Sequence, residues 1–262
     1  MTPYLADADC TLYHGDCLDV LRELPNDFVD AVVTSPPYLD ARPEYPSPTP
    51  DEFGEIFREL KQVTNGPMLL NAGRVWRQRR EMLWWVDLLD RAGRAGWVLR
   101  DTLVWVKPNA NPIHGEVLAS SHEYVFLLGD GFDPDAVRTQ YALETLARMG
   151  RKFVNGRGVK GERAQEPQTR TGPHERGARP RSYVSIYTGR EKGNPHPAPM
   201  AAELAEHLVL LSGGSRILDP FAGSGTTLLA ARKHGRHSIG IELSEQYCAL
   251  AADRLSQLSL LT

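Results

Sequence analysis

The stretch Val29-Asp30-Ala31-Val32-Val33-Thr34-Ser35-Pro36-Pro37-Tyr38 constrains the fold more than any other part of the chain. Val29 and the run Ala31 to Val33 read as a short buried strand, and the two prolines forbid it from continuing. Each proline fixes its own φ and has no N–H to donate. The strand therefore ends in a rigid corner that presents a hydroxyl (Ser35), bare backbone carbonyls and an aromatic face (Tyr38). Such a corner suits a flat, amino-bearing ring. The Ser35 hydroxyl and a neighbouring carbonyl can accept hydrogen bonds from an exocyclic amine while Tyr38 stacks, as chemistry on a flipped-out base requires. A strand followed by an inert Pro-rich turn would read the same way, so a second motif is needed.

That motif is Arg216-Ile217-Leu218-Asp219-Pro220-Phe221-Ala222-Gly223-Ser224-Gly225-Thr226-Thr227. An apolar strand enters a glycine-rich turn and then a helix from Leu228 to Lys233, which aims backbone N–H groups and a helix N-terminus at an anion. The next strand, Ser238 to Glu242, ends in an acid that can accept hydrogen bonds from both hydroxyls of a ribose. A P-loop would need Lys after Gly225, where this chain has Thr226. The dinucleotide fingerprint would need glycine at the position of Leu228. A ligand with a nucleoside and a carboxylate but no pyrophosphate fits better.

Together, the Thr34-to-Tyr38 and Asp219-to-Thr227 motifs resemble those of the S-adenosylmethionine-dependent amino-group DNA methyltransferases of the permuted β class, in which the catalytic corner precedes the cofactor loop. Further marks of the resemblance are His14-Gly15-Asp16-Cys17-Leu18, Trp105-Val106-Lys107-Pro108-Asn109, Ser121-His122-Glu123-Tyr124 and His196-Pro197-Ala198-Pro199. It spans nearly the whole chain and implies a catalytic set of Ser35, Pro36, Pro37 and Tyr38. The implied cofactor set is Asp16, Asp219, Phe221, Gly223, Ser224, Gly225, Thr226, Thr227 and Glu242, with Asp16 near the adenine and no metal. Helix capping is an equal reading for Asp16. Serine at the first corner position resembles the cytosine-N4 enzymes, where adenine-N6 enzymes usually carry Asp or Asn; adenine N6 is the alternative. A non-catalytic DNA-binding module of the same fold is a third reading, against which both intact motifs argue. The implied partners are double-stranded DNA and a cognate restriction endonuclease, in a bacterial, archaeal or phage setting. Monomer and homodimer both remain open.

The three cysteines exclude a neighbouring chemistry. Methylation at cytosine carbon 5 needs a thiolate, which that family carries in a Pro-Cys dipeptide, whereas Cys10, Cys17 and Cys248 follow Asp9, Asp16 and Tyr247. Their spacing suits neither zinc nor a disulfide framework.

With 262 residues, 41% of them hydrophobic, the chain can bury one large core without staples. No run of 18 apolar residues occurs, and residues 1–10 have neither a basic head nor an apolar stretch, so a membrane span and a signal peptide are not expected and the location expected is the cytoplasm. The formal net charge of −3 conceals a strong asymmetry. Between Arg151 and Lys192 eleven Lys/Arg face four acids, a local excess of seven that leaves the remainder ten negative. A basic surface on an acidic body is the footprint of phosphate contacts.

Periodicity predicts strands at Thr11–His14, Pro67–Asn71, Trp97–Val106, Tyr124–Leu128 and Ser182–Thr188. It predicts helices at Cys17–Leu24, Asp51–Val63, Trp76–Ala92, Tyr141–Met149, Ala201–Leu211 and Glu245–Leu258. Alternation of the two gives an α/β fold, a doubly wound, mainly parallel sheet of the Rossmann-like methyltransferase type. One catalytic domain spans 1–262, and within it 130–192 is expected to be a target-recognition insertion. Its basic part has too few apolar residues for a core of its own, and a basic linker that binds nucleic acid indiscriminately is the competing reading. The Pro-rich loop Leu39 to Asp51 lies where it could close over a substrate. Trp84 and Trp85 are expected to pack rather than stack on a base, and His122-Glu123 to be a structural contact.

Overall fold

The computed structural model describes residues 2–38, 47–78, 80–109, 120–139, 152–153, 168–169, 177–188 and 200–259. In chain order these form β1 (Leu5–Ala6), β2 (Cys10–His14), α1 (Cys17–Glu23), β3 (Ala31–Thr34), α2 (Pro50–Val63), β4 (Met68–Ala72), β5 (Val75–Arg77), β6 (Arg80–Met82), α3 (Trp84–Arg94), β7 (Leu99–Val106) and β8 (His122–Leu128). There follow β9 (Lys152–Phe153), β10 (Gln168–Thr169), β11 (Tyr183–Ser185), α4 (Ala202–Leu211), β12 (Arg216–Asp219), α5 (Thr226–Lys233), β13 (His237–Glu242) and α6 (Glu245–Ser259).

Nine of these strands form one sheet in the order β1-β2-β13-β12-β3-β4-β8-β7-β11. Pairings from β2 through β4 and between β7 and β11 are parallel; β1–β2, β4–β8 and β8–β7 are antiparallel. The sheet is thus mainly parallel and Rossmann-like, as the alternation of elements predicts. Val32, Met68, Leu70, Leu218, Ile239 and Ile241 on one face pack with α1, α2 and α3 in a single core. Their alternates Ala31, Val33, Leu69 and Ile217 are equally shut off from solvent. Burial on both faces is why the central strands read as continuous apolar runs.

The direction of winding reverses at the β12–β3 pair. From β3 the chain crosses through α2 to β4 on one side, and from β12 it crosses through α5 to β13 on the other. A crevice at such a reversal, beyond the carboxyl ends of the strands, is where open α/β sheets bind ligands. Strands β2, β13, β12, β3 and β4 end on this edge at His14, Glu242, Asp219, Thr34 and Ala72. Because β8 is antiparallel to β4 and β7 antiparallel to β8, the start of β8 and the end of β7 arrive there too.

The expected helix from Trp76 to Ala92 is corrected. Its first half is the β5–β6 hairpin, and only Trp84–Arg94 is helical. Gln78 takes a positive φ of 47° in the turn, and Arg74 clamps Glu81 in a two-pronged ion pair at 2.7 and 2.6 Å. These tertiary contacts outweigh the local helix propensity of Gln, Arg and Glu. Trp84 and Trp85 pack as expected: the Trp84 indole donates to the Gly73 carbonyl at 2.9 Å, and Trp85 lies against Tyr124 and Phe126. Helix α2 starts at a capping box in which the Thr49 hydroxyl accepts from Glu52 N while the Glu52 carboxylate accepts from Thr49 N.

The described residues fall into two compact units, Met1–Asp133 with Arg181–Thr262, and Pro134–Pro180. In the second, a 3₁₀ turn at Pro134–Val137 precedes a bridge between Thr139 and Ala178, and Arg138 holds Asp135 and the Gly177 carbonyl. The short strands β9 and β10 pair antiparallel. The expected helix Tyr141–Met149, most of the basic stretch, the greater part of the Pro-rich loop and His196-Pro197-Ala198-Pro199 lie outside the described residues.

Candidate active site

Adjacent strands bring together two motifs 185 residues apart in sequence. β12 pairs with β3 at Ile217↔Ala31 and Leu218↔Val32, so the glycine loop leaving β12 and the Pro-Pro corner leaving β3 emerge side by side. A direct bond ties them: Thr34 Oγ1 donates to Asp219 Oδ1 at 2.7 Å. Asp219 is buried; its carboxylate also accepts from Phe221 N at 3.1 Å and is bonded by the Thr227 side chain. Burial pushes its carboxyl above the usual carboxylate range, partly offset by the hydrogen bonds from Thr227, Thr34 and Phe221. Its role is therefore to fold the loop: both of its motif neighbours are anchored on one side chain.

Gly223 and Gly225 take positive φ of 52° and 77°, which the turn into α5 demands, and a Cβ on Gly225 would come within 2.9 Å of the Ala251 Cβ. Ser224 is buried and bonded to Arg254 of α6, while Thr226 and Thr227 open α5. Phe221 lies 6.3 Å, centroid to centroid, from Phe53 of α2.

Glu242 closes the neighbouring strand β13. Its Oε2 accepts from Gly223 N and its Oε1 from Ser244 N, both at 2.8 Å. Burial raises its carboxyl above the ordinary value, and the two backbone N–H groups pull it back. A carboxylate offers about four lone-pair sites, so acceptor capacity remains for two further donors such as a pair of ribose hydroxyls. Asp16 caps α1, its Oδ1 accepting from Leu18 N at 2.8 Å, and stays exposed; Gly15 N donates to the Glu242 carbonyl, which fixes the β2 turn beside this acid. The donor set fits a nucleoside: an acid with unused lone pairs, a second, exposed acid, and glycines close to both.

On the other side, the corner carries more partners than the sequence suggested. The Ser35 hydroxyl lies 3.2 Å from the Tyr38 hydroxyl, which donates to Glu123 Oε2 at 2.9 Å. Asn71 Nδ2 reaches Tyr38 Oη at 2.9 Å, Glu123 Oε2 at 3.0 Å and Ser35 Oγ at 3.4 Å. Lys107 forms an ion pair with Glu123 Oε1. The sheet explains the convergence. Trp105 is opposite Glu123 and Asn71 opposite Val125, so the β4, β7 and β8 side chains share a face, with Lys107 two residues beyond Trp105. Tyr38 packs on Trp84 at 5.3 Å, above Gly73, where a Cβ would lie only 2.2 Å from the ring. Burial and the Glu123 charge raise the Tyr38 hydroxyl well above its ordinary value, which keeps it protonated. The pair expected at 122–123 separates: His122 turns to Tyr124 and only Glu123 joins the corner. Asn71 was missed by motif reading. Its signal was a polar side chain at the end of an otherwise apolar buried strand, Met68 to Ala72.

Burial pushes the Cys17 and Cys248 thiols up to about 12 and raises Cys10 too, consistent with small hydrophobes rather than nucleophiles. Among the described residues no cluster of His, Cys, Asp or Glu could hold a metal ion, and no helix is long and apolar enough to cross a membrane.

Known proteins match this arrangement along most of the chain. The type II methyltransferase M.SmaI of Serratia marcescens is 27% identical over 295 residues, covering 94% of this chain and 90% of that protein. M.XycI of Xanthomonas campestris pv. cyanopsidis is 31% identical over 290 residues, covering 94% and 87%. Among solved structures, the PvuII DNA methyltransferase (cytosine-N4-specific) superposes with a TM-score of 0.72 at 18% identity, over 96% of this chain and 88% of that one. A DNA modification methylase of Thermus thermophilus, TTHA0409, complexed with S-adenosyl-L-methionine, gives 0.62 at 23% identity and 95% coverage of each. The family model described as DNA methylase, covering the N6 and N4 enzymes, matches residues 29–253. The chain belongs to this family of DNA amino-methyltransferases.

Proposed function

We propose that the protein transfers a methyl group to the exocyclic N4 of cytosine in duplex DNA, acting on a base swung out of the helix. The cofactor is S-adenosylmethionine, which supplies an electrophilic methyl on a sulfonium. The observation that carries the reading is the Thr34–Asp219 bond, which ties the amine-accepting corner to the cofactor loop on adjoining strands. Glu242 and Asp16 would hold the nucleoside end, and Gly223 and Gly225 let the backbone approach it.

The amine of cytosine is a poor nucleophile because its lone pair is delocalised into the ring. Acceptance of its hydrogens by Ser35 Oγ and the Pro36 carbonyl favours a pyramidal nitrogen with its lone pair free to attack. Direct displacement then needs neither metal nor covalent intermediate, and positioning alone can contribute an effective molarity of roughly 10⁵ M. Serine at position 35 supports cytosine N4 over adenine N6, as does the cytosine-N4 specificity of the PvuII enzyme of like fold. Residues 130–192, rich in Arg and Lys, would serve as the target-recognition insertion through phosphate and base-edge contacts.

Incubation with labelled cofactor and mixed-sequence duplex, followed by digestion to nucleosides and mass spectrometry, tests this. N4-methylcytosine is expected. N6-methyladenine would move the assignment to the other branch, and DNA binding without transfer would favour a non-catalytic module.

A further inference from the structure

We propose that Glu123 is a positioning residue: it sets the direction of the hydrogen-bond chain through Tyr38 so that the Ser35 hydroxyl meets the substrate amine only as an acceptor. The inference rests on the amino-methyltransferase reading and applies equally to a cytosine or an adenine amine.

A serine hydroxyl can point its proton or a lone pair at a ligand, and by itself does not choose. At an amine whose hydrogens must be accepted, a proton pointing inward repels the substrate. Here the choice is made three groups away. Lys107 engages Glu123 Oε1, so the carboxylate stands at the end of the chain as an acceptor without a proton to give. Its Oε2 takes the Tyr38 proton at 2.9 Å. The Tyr38 oxygen then has only lone pairs left, and the Ser35 hydroxyl 3.2 Å away must donate to it. Ser35 in turn keeps lone pairs for the amine.

Asn71 enforces the same order. Its Nδ2 carries two hydrogens and faces the Tyr38 oxygen, Glu123 Oε2 and, at a longer 3.4 Å, Ser35 Oγ. Every one of these contacts makes the neighbour an acceptor. Rotating the amide would set its carbonyl oxygen against the Glu123 carboxylate, so the orientation is fixed by charge. The Tyr38 proton cannot be lost to the network either, because burial beside Glu123 disfavours the phenolate. The resulting polarity, amine to Ser35 to Tyr38 to Glu123, runs one way, and each link polarises the next.

Three variants test this: Glu123→Gln, Tyr38→Phe and the double change. Glutamine keeps the shape but presents an NH₂ that turns the Tyr38 proton toward Ser35. Single-turnover methyl transfer at saturating cofactor and DNA is expected to fall by roughly tenfold or more in each single variant, as for one misdirected hydrogen bond. Dissociation constants for S-adenosylmethionine and for DNA should hardly change. The double variant should be no slower than Tyr38→Phe alone, since Glu123 acts through the Tyr38 hydroxyl. Independent, multiplying losses, or a Tyr38→Phe variant at the wild-type rate, would overturn the proposal. Should Glu123→Gln fold poorly with Lys107 left unpaired, Glu123→Gln with Lys107→Met removes both charges and makes the same comparison. A readout free of activity is the Tyr38 hydroxyl proton, expected as a slowly exchanging downfield NMR resonance that vanishes in Tyr38→Phe and moves in Glu123→Gln. Its absence from the wild-type protein overturns the hydrogen-bond order. Its presence in a protein that transfers no methyl group overturns the functional reading instead.

Discussion

Replacing Glu242 by glutamine isolates the cofactor side of the site. The substitution preserves shape but exchanges one carboxylate oxygen for an NH₂. Two backbone donors, Gly223 N and Ser244 N, already point at the two oxygens from 2.8 Å, so the new NH₂ must face one of them donor to donor. The remaining carbonyl oxygen can serve one ribose hydroxyl at most, and as a neutral acceptor. Losing one charge-assisted bond outright and weakening the other amounts to about 3 kcal/mol, or roughly 100-fold in the dissociation constant of S-adenosylmethionine. Titration calorimetry on the folded variant measures this directly. The orphaned backbone N–H should also lower the melting temperature by a few degrees, at ~2–4 °C per kcal/mol for a chain of this size. Cofactor affinity within threefold of wild type would remove Glu242 from the ribose site and with it the nucleoside assignment of the β13 end.

The same group gives a pH dependence. Because burial raises its carboxyl, Glu242 takes up a proton at a pH above the ordinary 4.5, and cofactor affinity should begin to fall there on acidification; affinity flat down to 4.5 would contradict it. The stability of the ligand-free protein runs the other way: Glu242 and Asp219, both raised, favour the fold when protonated, a contribution present below their unfolded values and lost as pH rises through the folded ones. Ser35→Ala should lower methyl transfer strongly with little change in cofactor affinity, and equal losses of both would place Ser35 elsewhere. Gly73→Ala drives a methyl to 2.2 Å of the Tyr38 ring, so it should cost methyl transfer and lower the melting temperature; a wild-type rate would show that Tyr38 is not needed where it lies. Neutralising three arginines between Arg151 and Lys192 should flatten the salt dependence of DNA affinity by about three units of log–log slope at roughly 0.9 per phosphate contact, and an unchanged slope would separate that segment from the backbone contacts.

The sequence by itself determined the parts whose reasons are local. Two prolines after Ser35 must end a strand, glycines at 223 and 225 must turn, an acid at the tip of β13 must seek donors, and the apolar runs around them must be buried on both faces. Those local constraints carried the fold class and the residues at the carboxyl ends of the strands. They could not show that β12 and β3 are neighbours, because strand order is decided by crossovers spanning most of the chain, and with it the Thr34–Asp219 bond. They also failed at Trp76, where the Arg74–Glu81 clamp and the Gln78 turn override a helical pattern. The same limit applies to the corner itself. Asn71, Lys107 and Glu123 come from three strands whose pairing sets them on one face, and only that pairing gives the Ser35 hydroxyl a direction.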